Sequence, residues 1–329
     1  MRRETVSEIL TRSLESSEVQ PSSAKEIEIE SGDWFLLSVA FFADAKHVVC
    51  NDLEGKIRRW RVEDGMKVVG TPMAGSYGCN IAVSRDGKWI VGGAETRTSV
   101  QVWNAENGKE VIEFKAHSDP VQAVDVSPDS TRIASGSEGG TACVWSLSTG
   151  KRLLGPWEHD DDVFAVKFSP DGRFIATATE TVVRIYVSRD GNLVVDVPLR
   201  ATYSINHSLA WSGNSKHLFV ISSGEIFCLD ASTGATLSQW SIHGDKDSCI
   251  ALASDGAFIA ASSGSSVSFW DTTTHKQIGS VIEHTGQVEL IAISASHDMV
   301  VGSEEKTSLR SLCHILPSSY CDHVSTFDS

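Results

Sequence analysis

A short apolar pattern recurs seven times at a nearly constant interval, and that interval limits the possible folds more than any other property of the chain. Each copy is centred on a polar turn residue. These anchors are Asp44, Asp86, Asp129, Asp171, Asn214, Asp255 and Ser296, spaced by 42, 43, 42, 43, 41 and 41 residues. Five residues before the anchors stand Val39, Ile81, Val124, Val166, Leu209, Ile250 and Ile291. Three before them stand Phe41, Val83, Val126, Phe168, Trp211, Leu252 and Ile293, and four after them Val48, Ile90, Ile133, Ile175, Leu218, Ile259 and Val300. A fixed period of about forty residues means one supersecondary unit, copied and stacked so that neighbours bury each other's apolar faces.

Each unit reads as four strands. The two apolar residues before the anchor lie two apart, the period of a strand with one buried face. The turn that follows, as in Ser169-Pro170-Asp171-Gly172, combines a preset φ at Pro, an acceptor side chain at Asp and positive φ at Gly. A second run follows (Phe174 to Ala178), and in the third copy a Gly/Ser/Glu turn (Ser137 to Gly140) leads to a run ending on an aromatic, Ala142 to Trp145. The turn Ser148-Thr149-Gly150-Lys151 then opens a fourth run. Four short antiparallel strands per unit make a β-propeller blade. The expected fold is therefore all-β, a seven-bladed propeller over residues 24–312, with blades at about 34–74, 75–116, 117–157, 158–200, 201–242, 243–283 and 284–312.

These residues resemble the WD40-repeat family. The aromatic slot closing the third strand holds Trp60, Trp103, Trp145, Tyr186, Leu229 and Trp270, with Arg310 in the seventh copy. The Trp-Asp pair stands at Trp270-Asp271, with Leu229-Asp230 a near match, and the family's Gly-His is reduced to Ala116-His117, Glu158-His159 and Glu283-His284. Six residues before the slot, where members often place Asp, stand Glu54, Arg97, Gly139, Glu180, Ser223 and Gly264. The resemblance thus implies that the Asp-His-Ser-Trp network of many family blades is missing. The wording from Leu154-Gly155-Pro156-Trp157 to Phe168-Ser169-Pro170-Asp171-Gly172 is similar to WD arrays of fungal STAND-type signalling and incompatibility proteins. It implies a sensor module without its NTPase. The family resemblance implies a non-enzymatic scaffold or adaptor, a monomeric propeller binding proteins or peptides within a complex. The alternatives are a substrate receptor of a ubiquitin ligase, a histone or chromatin reader, and, in another class, a propeller enzyme with its site in the channel.

No fourth strand follows the seventh copy. Lys25-Glu26-Ile27-Glu28-Ile29-Glu30, which alternates charge and Ile, is expected to supply it and close the ring with residues 24–30. The alternatives are an edge extension of the first blade or a strand from Ile315-Leu316. Residues 1–23 read as a short helix, with Thr5 and Glu8 as a capping box, or as a disordered tail. Residues 313–329 read as irregular and mobile.

A net charge of −15, from 28 Lys and Arg against 43 Asp and Glu, opposes general binding to nucleic acid or anionic membranes. Seven scattered cysteines fit a reducing compartment, with Cys50, Cys143 and Cys228 as small buried hydrophobes. With no secretory signal and no apolar stretch long enough to span a bilayer, a cytoplasmic location is expected, with the nucleus as the alternative. No phosphate loop, dinucleotide fingerprint, nucleophile elbow or metal-ligand spacing occurs, so no catalytic residue, cofactor or metal is assigned.

Blade topology puts the blade-to-blade connections and the second-to-third strand turns on one face. Asp119, Glu158, Asp160, Asp161, Asp162, Asp245, Asp247 and Glu283 come from the connections, and Asp52, Glu54, Glu95, Glu138, Glu180, Glu225, Glu304 and Glu305 from the turns. Against them stand Lys56, Arg97, Arg200, Lys246 and Lys306. The candidate partner-binding residues are Asp119, Glu138, Glu158, His159, Asp160, Asp161, Asp162, Glu180, Tyr203, Asp245 and Asp247, facing a basic protein segment. Trp34, Tyr77 and Trp157 are further aromatic anchors or packing residues. His117, His159, His243 and His284 fall at the connections, where orienting a turn is the expected role. Asp125 and Lys167, the two charged residues among the inner-strand variable positions, are expected to pair.

Overall fold

The computed structural model describes residues 26–29, 36–52, 55–68, 73–74, 80–94, 97–199, 208–242, 248–303, 307–312 and 315–320. They form seven four-stranded antiparallel sheets, blades 1 to 7 in chain order. Blade 3 is representative: an inner strand Val121–Val126, then Arg132–Ser137 and Thr141–Ser146, and an outer strand Arg152–Glu158. The inner strands of the other blades are Leu36–Phe41, Asn80–Val83, Ala165–Phe168, Leu209–Trp211, Ile250–Leu252 and Val288–Ile293. Among the described residues no helix is long and apolar enough to cross a membrane.

The three apolar columns of the repeat build the core. Val124, Val166, Ile133 and Ile175 are buried, and each cluster mixes two neighbouring blades. Ile133 pairs with Trp145 and Ile175 with Tyr186 across the second and third strands. Trp60, Trp103, Trp145, Tyr186 and Trp270 are all buried, each packed against the preceding blade of the ring. Cys50, Cys143, Cys228 and Cys249 are free and buried, and burial pushes the Cys143 thiol up to about 11.

The ring closes with the N-terminal strand. Glu26–Ile29 pairs antiparallel with Thr307–Ser311 and becomes the fourth strand of blade 7. The chain beyond blade 7 does not run free at once, contrary to the expectation of a mobile tail. Leu316 is buried in the cluster shared by blades 6 and 7, and the Tyr320 hydroxyl donates to Asp271 Oδ2 at 2.6 Å. Apolar Ile315 and Leu316, read only as a possible strand, dock on blade 6 instead. The segments 1–23 and 321–329 lie outside the described residues.

The expected loss of the family's internal network is corrected in blade 3. Trp145 Nε1 donates to Ser135 Oγ at 2.7 Å, His117 Nε2 lies 2.7 Å from the same hydroxyl, and His117 Nδ1 lies 2.7 Å from Thr141 Oγ1. Thr141 supplies the link that Gly139 cannot, because it stands two residues further on at the start of the third strand. Blade 4 keeps a shorter version, with His159 Nε2 2.9 Å from Thr177 Oγ1.

The turn after each inner strand carries a left-handed residue just past the anchor. These are Ala45, Gly87, Ser130, Gly172, Ser215, Gly256 and His297, with φ between 53° and 75°. Glycine takes this conformation freely, whereas Ala, Ser and His are strained by it. Three of the four non-glycine residues make a compensating bond to the preceding blade. Ser130 Oγ accepts from Asp86 N and Ser215 Oγ from Asp171 N, both at 3.1 Å, and His297 Nε2 lies 3.3 Å from Asp255 Oδ2.

Candidate functional site

Antiparallel order sends the blade connections and the second-to-third strand turns to one end of every blade, here the upper face. The first-to-second and third-to-fourth turns lie below. On the upper face of blades 3 and 4 four loops converge. Asp119 enters with the connection into blade 3 and Glu138 with the following turn, whereas Asp160, Asp161 and Asp162 enter with the connection into blade 4 and Glu180 with its turn. Crowding is visible in Asp162, whose pKa is raised by partial desolvation and then by the charges of Glu138, Asp161, Glu180 and Asp119. Five carboxylates from four loops therefore share one negative field.

Local chemistry fixes these loops. Gly139 and Gly140 have no Cβ, and the Asp119 carboxylate and the His159 carbonyl lie where side chains there would project. His159 N donates to Gly140 O at 2.7 Å, tying the blade 4 connection to blade 3. The Thr181 hydroxyl donates to Asp161, and Gln122 Nε2 donates to Glu138 Oε1 at 2.9 Å. Arg184 clamps the connection from the blade side: Nη1 donates to the Glu158 carbonyl at 2.7 Å, while Nε lies 3.3 Å from Asp196. Sequence reasoning missed this cation, because only the pairing of Arg184 with Asp196 across the third and outer strands brings it there.

The expected site residues divide. Asp119, Asp160, Asp162, Glu158 and Glu180 are exposed, and Glu138 and Asp161 are half-buried. His159 turns inward to Thr177 and the Trp157 carbonyl, and burial, followed by the Arg184 charge, lowers its pKa to about 4. His117 is likewise lowered to about 4, by burial and then by Arg152. Both histidines therefore hold connections in place and stay neutral at pH 7. Trp157 stacks on Tyr186 with ring centroids 4.1 Å apart, so its face is covered by packing. Tyr203, Asp245 and Asp247, with Trp34, Tyr77 and the basic Arg200, Lys246 and Lys306, lie outside the described residues. Asp271 caps the turn after Trp270 by accepting from Thr273 N at 3.0 Å, besides holding Tyr320. Among the described residues no three His, Cys, Asp or Glu side chains are grouped to hold a metal ion.

The central channel, about 760 Å³, opens towards the lower face between the first-to-second strand turns. Its wall carries Ala40, Ala82, Ala210, Ala251 and Ala292 in five blades, and Asp125 and Lys167 in blades 3 and 4. The expected pair forms, with Lys167 Nζ 3.9 Å from Asp125 Oδ1.

The family model for the WD domain, G-beta repeat (WD40), matches residues 108–146 and 152–195. Those two segments contain the better part of blades 3 and 4, where the internal hydrogen bonds survive. No curated protein matches the chain.

Proposed function

We propose that this chain, a WD-repeat β-propeller, is a non-enzymatic interaction platform whose upper face takes a basic protein segment. Propellers of this family are generally scaffolds for protein interaction, a rigid ring presenting loops. The observation that supports this partner is the convergence of Asp119, Glu138, Asp161, Asp162 and Glu180 from four loops, where partial desolvation and then the neighbouring charges raise the pKa of Asp162. Carboxylates that repel one another and lie at the surface gain from a cation placed among them, and their field steers basic partners over roughly 8–10 Å at physiological salt. The site sits on connections braced by His117, His159 and Arg184, so binding needs little ordering of the protein. An adaptor or sensor within a larger signalling complex, in the cytoplasm or nucleus, is the role that fits such a surface.

The test is association of a Lys/Arg-rich octapeptide, with a Glu-rich octapeptide as control. Asp119→Asn, Asp162→Asn and Glu180→Gln together should leave the melting temperature within a few degrees and slow association several-fold at low salt. Equal association by the triple variant, or equal binding of the acidic peptide, would refute the assignment.

A further inference from the structure

The channel wall breaks the sevenfold symmetry of the ring in one place. Five blades present alanine, and two adjacent blades present Asp125 and Lys167. The two are not equivalent in what they have left to offer. Asp125 Oδ2 accepts the Phe168 backbone N–H at 2.7 Å, so the carboxylate is anchored in the wall. Lys167 Nζ approaches Asp125 Oδ1 only to 3.9 Å, beyond hydrogen-bond distance, and its side chain remains about one-third exposed (32%) in the channel. An ammonium carries three donors, and an anion arriving along the channel would find them.

The surroundings set the rest of the ligand. Half-buried Leu252 and Ile293 line the channel beside the alanines, whereas Val39, Ile81 and Ile291 belong to the core and only edge on it, so the wall is apolar with a single ammonium in it. Arg85 of blade 2 and Asp171 of blade 4 stand at the lower rim. A strand rise of about 3.3 Å per residue makes a six-residue inner strand roughly 20 Å long, deep enough for an extended eight-carbon chain. A volume of about 760 Å³ lies within the range of small-molecule sites.

We propose that the channel, entered from the lower face, binds a small amphiphile with a carboxylate head. The head hydrogen-bonds to Lys167, and the aliphatic tail lies along the alanine and branched-chain wall. Asp125 is the competitor: it draws Lys167 towards the wall and repels the incoming anion, which sets a ceiling on affinity. This site is independent of the acidic upper face, so either assignment can fail alone.

Octanoate is the probe, titrated calorimetrically into the full chain, with octylammonium as control. Octanoate is expected to bind once per chain and at least about tenfold more tightly than octylammonium, because a charge-assisted hydrogen bond forms with only one of them. Lys167→Gln should weaken octanoate by about tenfold. Asp125→Asn should tighten it, by removing the competing charge. Ala251→Leu should weaken binding by narrowing the channel, with little change in melting temperature. If Lys167→Gln fails to fold, the Asp125→Asn and Ala251→Leu titrations decide. Absence of octanoate binding at millimolar concentration, equal affinity for octylammonium, or unchanged affinity in Asp125→Asn and Ala251→Leu each overturns the proposal.

Discussion

The two faces of the ring use aspartate in opposite ways. Below, Asp44, Asp86, Asp129 and Asp171 occupy the turns after the inner strands, and each has a lowered pKa. Burial pulls these carboxyls upward, but hydrogen bonds from their own turns outweigh it. Asp171 is typical, accepting from Ser169 Oγ at 2.7 Å, Arg173 N at 3.0 Å and Arg173 Nε at 2.7 Å. Above, partial desolvation acts on Asp162 as well, but the charges of Glu138, Asp161, Glu180 and Asp119 add to it, and its pKa is raised. The lower carboxylates lie among donors of their own turns, whereas the upper ones, although Asp161 and Glu138 also accept hydrogen bonds, lie chiefly among other carboxylates. Charge at the surface thus signals a binding site where like charges crowd together rather than where each is answered by its own turn.

The most drastic way to break the contrast is to destroy the scaffold between the faces. Val166 is 1% exposed on an inner strand, so Val166→Asp buries a charge with no partner and should cost at least about 3 kcal/mol. Chemical denaturation would show the loss directly, and a midpoint equal to wild type would mean that the repeat register is wrong.

Acid should weaken the upper face before the lower one. His117 and His159 have pKa values near 4 in the fold against an ordinary 6.5. The unfolded chain therefore binds more protons between pH 6.5 and 4, so stability falls as pH drops through that window. Each contributes on the order of 3 kcal/mol, and the two together about twice that. Only below about pH 4 should the lower aspartates add their loss, because their depressed values keep them charged until then. Urea midpoints measured from pH 7 to 3 should show the first decline shrink in His159→Gln; an unchanged profile in that variant would assign the decline elsewhere.

Smaller substitutions sharpen the comparison. Asp171→Ala removes a turn cap and should lower stability by about 1 kcal/mol, a drop of about 2–3 °C. Asp162→Asn should do the reverse and raise the melting temperature slightly, by about 1 °C, since it relieves repulsion at an exposed site. Identical signs for the two changes would erase the distinction between the faces.

The ring itself was legible because its signal is repeated: a misread strand in one copy is corrected by six others. Val124, Ile133 and Trp145 sit where their columns require. The pairing of Asp125 with Lys167 was also legible, since equal repeat positions in adjacent blades must lie side by side. What escaped notice depends on single residues that break register. Thr141 replaces a network member from a different position, and Arg184 reaches its targets only through cross-strand pairing. The docking of Tyr320 on Asp271 joins residues 49 apart in sequence, outside the repeat altogether. His159, expected both to orient a turn and to face a partner, takes the first role, with its ring on Thr177 and its backbone N–H on Gly140.

The left-handed turn residues carry a consequence for how the ring can come apart. Read in order, Ala45, Gly87, Ser130, Gly172, Ser215, Gly256 and His297 alternate between residues with a side chain and residues without one. The bonds back from Ser130, Ser215 and His297 join blade 2 to 3, 4 to 5 and 6 to 7. This lower-face tie therefore recurs at every second junction, while other junctions are joined differently, blades 3 and 4 by Phe168 N on Asp125 and His159 N on Gly140, and blades 1 and 2 by Ile81 N on Ser38 Oγ. An alternating pattern cannot run without a fault around an odd-numbered circle, and the fault lies between blades 7 and 1, where Ala45 has no polar group to offer. The chain crosses that junction covalently, so the clasp lies beside it, inside blade 7, where Glu26–Ile29 is held to Thr307–Ser311 by strand pairing. Under force or heat the ring should open there first, by losing that one strand.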